Sequence, residues 1–112
     1  RYGKVIRPGM GVSVLSTGQK YYLIGDQDGV VINQVESGSP AARAGLRGMR
    51  RGAGGRYRLG DIIVGIDDIP VKDFDDLFHS LDLYKVGDRV KVRFLRDGRA
   101  RAVSLDLISI KP

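Results

Sequence analysis

Cysteine is absent from this 112-residue chain, so it can form no disulfide and offers no thiolate as a nucleophile or metal ligand. Histidine occurs once, at position 79, which excludes a metal site built from several histidines. No stretch approaches the roughly 20 apolar residues that cross a bilayer, and no signal-peptide pattern is present. The sequence therefore predicts no membrane span, no metal site and no cofactor.

The parts of a serine-based catalytic site are also missing. The one imidazole, His79, falls inside an amphipathic helical pattern, and no glycine-flanked serine elbow supplies a nucleophile with oxyanion donors. We expect His79 to be a solvated residue on a helix surface. The acidic pairs Asp67-Asp68 and Asp75-Asp76 suit a turn and the first turn of a helix. The chain by itself is predicted not to be an enzyme.

Positive charge is plentiful and unevenly placed. The net charge is +6 and the sequence pI is about 9.9, and from Arg43 to Gly60 the chain has six arginines and no acidic residue. Five glycines from Gly48 to Gly60 separate the arginines, which predicts a mobile, solvated loop. The alternative is a basic small β-domain that binds RNA or acidic protein surfaces, but among these arginines only Tyr57 offers an aromatic ring.

The length fits one domain with a modest core, and strands outnumber helices. Apolar or alternating runs predict strands at 12–15, 29–35, 62–66, 89–95 and 99–107, with a further short strand leading into Val71. Ser39 is a predicted N-cap for a helix of barely two turns that Gly45 ends. A longer helix is expected at about 73–84. The predicted fold class is mostly β (α+β), a small partly open β-barrel or sandwich of five to six strands with two helices.

The stretch RPGMGVSVL, residues 7–15, places two glycines around one methionine directly before a predicted strand. Glycines let the backbone turn tightly and leave amide N–H groups accessible, which is one way to bind an anion without a basic side chain. A plain turn explains the same residues. The local sequence leaves both interpretations open.

Several motifs together resemble a PDZ domain, and specifically that of an HtrA/DegP-type serine protease. They are GMGV before a strand, ESGSPAARAGLR, LGDIIVGIDDIPV, DFDDLFHSL and KVGDRVKVRFLRDG. The resemblance implies a PDZ-like domain at 9–110 with a basic Gly/Arg-rich insert at 47–60. Residues 1–8 resemble the linker that leads out of the protease domain in that group. The chain is thus expected to derive from a longer protein and to lack its protease domain.

The resemblance implies how the opening glycines act. In PDZ domains the equivalent loop donates backbone N–H groups to the terminal carboxylate of a peptide, which adds as a strand beside the next strand. The opposite wall of that groove is the longer helix, where Leu77 is expected to face the core. Phe74 stands where a histidine is common, which weakens any expectation of serine or threonine two residues before the peptide terminus. The predicted site residues are Gly9, Met10, Gly11, Val12, Ser13, Val14, Phe74, Phe78 and Leu81.

The resemblance also implies partners and a setting. The domain is expected to bind peptides or protein C-termini, exposed hydrophobic segments of unfolded substrates, and its own protease domain, with no nucleic acid. It would serve substrate recognition or regulation in a homo-oligomeric serine endopeptidase. The expected compartment is extracytoplasmic, the bacterial periplasm above all, or the chloroplast lumen or its cyanobacterial equivalent.

Overall fold

The computed structural model describes residues 7–55 and 57–110, and these contain ten strands and three α-helices. The strands are β1 (Arg7–Gly9), β2 (Val12–Val14), β3 (Val30–Val35), β4 (Arg50–Arg51), β5 (Tyr57–Arg58), β6 (Ile62–Ile66), β7 (Ile69–Pro70), β8 (Arg89–Arg96), β9 (Arg99–Asp106) and β10 (Ile108–Ile110). The helices are α1 (Thr17–Ile24), α2 (Pro40–Ala44) and α3 (Phe74–Leu81). Within the described ranges no helix has the length and apolar character needed to cross a membrane.

One antiparallel sheet organises the molecule. Its strand order is β2-β3-β6-β8-β9, and β7 pairs with β6 as a sixth member. Two short ladders stand apart from it, one between β1 and β10 and one between β4 and β5. The predicted fold class, mostly β with a partly open sheet of five to six strands, is confirmed. The β1–β10 ladder was not predicted, and it includes Arg7 and Pro8, which the sequence had placed in the linker.

The main core lies on one face of the sheet. Alternate residues of the central strands supply it, including Ile63, Val92 and Phe94, all at most 2% exposed. Helix α3 packs Leu77 and Leu81 onto this layer. On the opposite face a smaller cluster forms around Leu15, Val31 and Ile62, with partly buried residues packed against it. This two-sided burial explains why β3 and β6 read as nearly continuous apolar runs.

The two predicted helices begin at the predicted caps. Ser39 accepts a hydrogen bond from the backbone N–H of Ala42 at 3.1 Å, and Asp73 accepts one from that of Asp76 at 2.9 Å. Gly45 ends α2 in the left-handed conformation, with φ +89°. Helix α3 is shorter than the predicted 73–84, because the chain turns away after Leu81.

Helix α1 corrects the expectation of two helices. None of its residues is buried, so it lacks the apolar periodicity by which an amphipathic helix is recognised. Its local signal is a capping box, in which Ser16 and Gln19 bond reciprocally to each other's backbone N–H. The residues Ser-Thr-Gly-Gln therefore indicate where this helix starts, whereas hydrophobic patterning does not indicate the helix.

The arginine-rich insert was predicted to have no structured face, and this is corrected, because the structure places two short strands in it. Strands β4 and β5 pair as a two-residue ribbon across a turn that includes Gly54 and Gly55. At its base, a Cβ on Gly48 would overlap the Asn33 carbonyl oxygen, and one on Gly60 would overlap that of Ile32. Glycine is required at both places because the insert packs directly on the β3 backbone. Arg56 lies outside the described residues.

A hydrogen bond between side chains ties the segment after α3 to the β6–β7 turn. The Tyr84 hydroxyl donates to Asp67 Oδ2 at 2.6 Å, and the Lys91 amide donates to Asp67 Oδ1 at 2.8 Å. The bond to Tyr84, followed by that to Lys91, lowers the pKa of Asp67 below its ordinary 3.8. The same carboxylate raises the pKa of Tyr84 to about 12.

Replacing Tyr84 with phenylalanine should lower the free energy of unfolding at pH 7 by about 1 kcal/mol, the usual net value of a hydrogen bond. Because the pKa of Asp67 is lowered in the folded protein, its ionised carboxylate stabilises the fold above the unfolded pKa near 4. This contribution is lost as pH falls through the folded pKa. Because the pKa of Tyr84 is raised, its bond to Asp67 stabilises the folded protein fully below pH about 10. This contribution is lost as pH rises toward the folded pKa of about 12. Urea titrations at several pH values measure the difference. Tyr21→Phe, at a ring 66% exposed, is the control. A Tyr84→Phe deficit that stays unchanged at a pH low enough to protonate Asp67 in the folded protein would contradict the carboxylate bond as its source.

Candidate functional site

A cleft of about 490 Å³ opens between β2 and α3. The glycine loop closes one end of it, and the segment that starts β10 contributes to its lining. The lining residues are Gly9, Met10, Gly11, Val12, Val14, Glu36, Leu77, Phe78, Leu81, Ile108 and Ser109. Its walls are mainly apolar side chains and exposed backbone, a composition suited to an extended peptide.

The glycine loop packs against the start of α2 and against the core. Gly11 has φ +85°, and a Cβ there would overlap Ser39 at the start of α2. The Met10 side chain is 2% exposed in the core, and its carbonyl accepts a bond from the Ala41 amide at 3.2 Å. Within residues 7–55 and 57–110 the amides of Met10 and Gly11 donate to no other group. The loop thus presents donors without partners beside an apolar cleft.

Strand β2 has an unused edge along the cleft. The Gly11 carbonyl accepts from the Glu36 amide at 2.8 Å, and the Leu15 amide donates to the Val31 carbonyl at 2.9 Å. Backbone groups alternate in direction along a strand, so those of Val12 and Val14 point away from β3. In the sheet order β2 is terminal, so no strand of the described chain occupies this edge.

Helix α3 forms the other wall. Leu77 and Leu81 are 3% and 4% exposed, so they belong to the core and form the floor of the cleft. Phe78 is half-buried and lines the cleft above them. Phe74 packs edge-on against Phe78, with ring centroids 4.4 Å apart and an interplanar angle of 75°. Phe74 therefore contacts the wall of the cleft through the Phe78 ring.

The electrostatics of the cleft set a condition on any anionic ligand. Among the lining residues that the structure describes, Glu36 is the one ionisable side chain. This described lining offers a carboxylate backbone N–H groups, and not a cationic side chain, as hydrogen-bond partners. The loop amides of Met10 and Gly11 have the placement for this.

The structure gathers most of the predicted site residues in this cleft: Gly9, Met10, Gly11, Val12, Val14, Phe78 and Leu81. Ser13 is exposed and does not line it, and Phe74 reaches it only through Phe78. Sequence reasoning missed Glu36, Ile108 and Ser109, which come to the cleft through strand pairing. His79 is exposed on α3, as expected. The roles of these residues in binding stay predictions.

The sequence matches the PDZ domain family over residues 8–107. The chain belongs to the PDZ family. The glycine loop, the free β2 edge and α3 of this PDZ domain are the elements that the sequence motifs had indicated, and the recognition is confirmed.

Curated relatives of this PDZ domain are serine proteases. The chain is 37% identical over 107 residues to Protease Do-like 1, chloroplastic, of Arabidopsis thaliana, covering 96% of this chain and 24% of that protein. It is 34% identical over 113 residues to Serine protease Do-like HtrA of Lactococcus lactis, covering 94% and 25%. Periplasmic serine endoprotease DegP of Salmonella typhimurium is 28% identical over 109 residues, covering 95% and 21%. The chain spans about a quarter of the length of these relatives.

Solved structures agree on the fold. A structure described as the HtrA-type protease AlgW with a decapeptide matches with a TM-score of 0.75 and 25% sequence identity. The match covers 99% of this chain and 32% of that one. A second, described as AlgW with a tripeptide, matches with a TM-score of 0.70 and 26% identity over 98% and 34% of the two chains. This PDZ domain therefore has the architecture found in HtrA-type proteases.

Proposed function

We propose that this PDZ domain captures protein C-termini, or exposed hydrophobic peptide segments, by adding them as a strand to the β2 edge. One observation carries the proposal: partnerless amides at Met10 and Gly11 stand at the closed end of an apolar cleft whose β2 edge is unpaired. A terminal carboxylate would accept bonds from these amides. The last side chain would enter the apolar space above Leu77 and Leu81, against Phe78.

The expected affinity is micromolar. A charge-assisted hydrogen bond contributes about 1.5–3 kcal/mol, and full burial of one apolar side chain contributes a similar amount. Main-chain bonds to Val12 and Val14 add smaller increments. After the cost of ordering the peptide is subtracted, about −8 kcal/mol remains, which corresponds to a Kd near 1 μM.

The test compares one peptide in two terminal forms. A library of C-terminal peptides first identifies a binder, and the same peptide is then made with an amidated C-terminus. Because amidation removes the charge of the terminal carboxylate, it should weaken binding by at least about tenfold, the equivalent of one charge-assisted bond. Equal affinities of the two forms would show that the carboxylate is not read, and would leave internal segments as the ligand.

Phe78→Ala should weaken peptide binding by about 1–3 kcal/mol, because it removes an aromatic wall of the cleft. Leu77→Ala is the matched variant on the same helix and should act on stability, lowering the free energy of unfolding by about 2–5 kcal/mol. Calorimetric titration and urea denaturation measure the two effects. A Phe78→Ala protein that is unfolded at ordinary temperature would assign that ring to the core and contradict its role in the cleft.

The basic charge of the domain is consistent with one alternative function. With a net charge of +6 and an arginine-rich insert, the domain could instead bind RNA or acidic protein surfaces. Salt separates these functions, since nucleic-acid affinity falls by about 10³–10⁵ between 50 and 200 mM salt when 6–10 phosphates are contacted. Binding through backbone amides and an apolar cleft should fall only modestly.

In the longer protein, we propose, this module recognises substrates or regulates an HtrA-type serine endopeptidase, contacts its protease domain and works within a homo-oligomer. The relatives are proteases of which the chain matches about a quarter, which supports a modular, non-catalytic role. Their names place one in chloroplasts and one in the periplasm, which supports an extracytoplasmic setting. Tethering the domain to its protease and adding the peptide found above would test regulation through the rate of cleavage.

A further inference from the structure

The edge of the sheet opposite β2 is also unpaired. Strand β9 is the last strand in the order β2-β3-β6-β8-β9, and among the strands of the described residues it pairs with β8 alone. It is eight residues long, and residues 99–102 are exposed. Within the described residues, none of its backbone groups bonds outside the β8 ladder. A long exposed edge is a template for another extended chain.

The register shows which backbone groups are available. Arg96 and Arg99 flank the two-residue Asp97-Gly98 turn, so they form the hydrogen-bonded pair that closes the hairpin. Along β9 every second residue then directs its N–H and C=O away from β8. These residues are Ala100, Ala102, Ser104 and Asp106. Three of the four have small side chains, so an incoming strand can approach closely.

Charge indicates which chain could pair there. From Arg89 to Asp106 the hairpin has six arginines and lysines and two aspartates, and one of the arginines, Arg96, is already paired with Asp61. One aspartate, Asp106, is already paired with Arg89 at 3.2 Å. A second copy of this hairpin would bring the same excess of positive charge to the edge, which opposes self-pairing. An acidic strand would gain from the same arginines.

A cleft beside the C-terminal end of β9 extends the surface that a paired strand would contact. A polar cleft of about 430 Å³ lies between α2 and the end of β9, with Arg43 on one side and Arg89 on the other. Both arginines are exposed. An acidic residue of a strand lying along β9 would meet them as it leaves the edge.

We propose that the β9 edge is a second strand-addition site, which takes an extended acidic protein segment. This site is separate from the β2–α3 cleft, needs no free C-terminus and stands whether or not the cleft binds peptides. Backbone bonds to Ala100, Ala102 and Ser104 supply the pairing. The surrounding arginines select for acidic side chains.

The test uses the chain itself, labelled with ¹⁵N, and an eight-residue peptide of alternating Glu and Val with both ends blocked. Blocking the C-terminus keeps the peptide from using a terminal carboxylate. Binding should shift the amide resonances of Ala100, Ala102 and Ser104 and slow their hydrogen exchange. The matched peptide of alternating Lys and Val should bind at least tenfold more weakly.

Two kinds of variant locate the site. Ala102→Pro removes one outward N–H from an edge strand, where proline is tolerated, and should weaken the Glu–Val peptide at least tenfold. Val14→Pro removes the equivalent donor at the β2 edge and should leave this peptide unaffected. The double change Arg99→Glu with Arg101→Glu leaves the backbone intact and should also weaken binding at least tenfold. If Ala102→Pro does not fold, this double variant tests whether the peptide binds at the β9 edge.

Four results would overturn the proposal. The first is that the Glu–Val peptide changes only resonances in the β2–α3 cleft or in the arginine-rich insert. The second is that the Lys–Val peptide binds as tightly as the Glu–Val peptide. A third is displacement of the Glu–Val peptide by an oligo-uridine RNA at equal concentration, which would make the surface a nucleic-acid site. The last is self-association of the protein alone that Arg99→Glu with Arg101→Glu changes, which would assign the edge to a second copy.

Discussion

Replacing Asp61 with alanine is expected to lower the free energy of unfolding by about 3–5 kcal/mol, the usual cost of breaking a buried ion pair. Asp61 is 2% exposed, and its carboxylate accepts bonds from Arg96 Nε at 2.8 Å and Nη2 at 2.7 Å. It also accepts the Arg47 amide at 2.8 Å. The change would leave a guanidinium, 17% exposed, and a backbone N–H without their acceptor.

The same pair holds three parts of the chain together. Arg96 Nη2 also donates to the Gly45 carbonyl at 2.7 Å, at the end of α2, while Arg47 begins the insert. The hydrogen bond to the Asp61 carboxylate raises the pKa of Arg96. We therefore expect Asp61→Ala to loosen α2 and the base of the insert first, as faster hydrogen exchange there would report.

The control is the exposed pair on the neighbouring strands. Arg89 and Asp106 are 68% and 61% exposed, and Asp106→Ala should cost no more than about 0.5–1 kcal/mol. Urea unfolding of both variants and of the wild type gives the comparison. If the two alanine substitutions cost the same, burial does not govern the Asp61 pair and the prediction is wrong.

Gly11→Ala is expected to weaken binding of a C-terminal peptide by about 10- to 150-fold, which corresponds to losing one charge-assisted bond of about 1.5–3 kcal/mol. The backbone at Gly11 has φ +85°, and a Cβ would overlap Ser39, so the loop must move. Stability should fall as well, by about 2–4 kcal/mol from left-handed strain and overpacking together.

Gly98→Ala separates these causes. Gly98 has φ +77°, but a Cβ there meets nothing within 4 Å, so only the backbone strain applies. It should cost about 1 kcal/mol of stability and leave peptide affinity unchanged. Peptide affinity in Gly11→Ala equal to that of the wild type, measured on folded protein, would remove the glycine loop from the proposed site.

Local sequence patterns predicted much of the fold. Ser39 and Asp73 cap the two predicted helices, and the Asp97-Gly98 turn joins β8 to β9 as the hairpin signal indicated. Such features depend on a few neighbouring residues, so a single sequence contains them. The capping box at Ser16 was present too, but its helix buries no residue and had no apolar period to support it.

Long-range packing accounts for what the sequence could not indicate. The arginine-rich insert looked mobile because glycine and arginine give no local preference for structure. Its position comes from the close approach of Gly48 and Gly60 to β3, more than a dozen residues away. Ser13 and Val14 are adjacent and both lie on the predicted strand, yet only Val14 lines the cleft, since successive side chains point to opposite faces.

By itself, the sequence determined the family, the mostly β class, the glycine loop and the helix that faces it, because caps, periodicity and glycine placement act over short distances. Only the tertiary structure decided which groups meet. The pairing of β1 with β10 brings Ile108 and Ser109 to the cleft, and a buried bond joins Asp61 to Arg96 across 35 positions. Those contacts depend on how strands order in the sheet, and that order minimises unpaired backbone and exposed apolar surface over the whole chain at once.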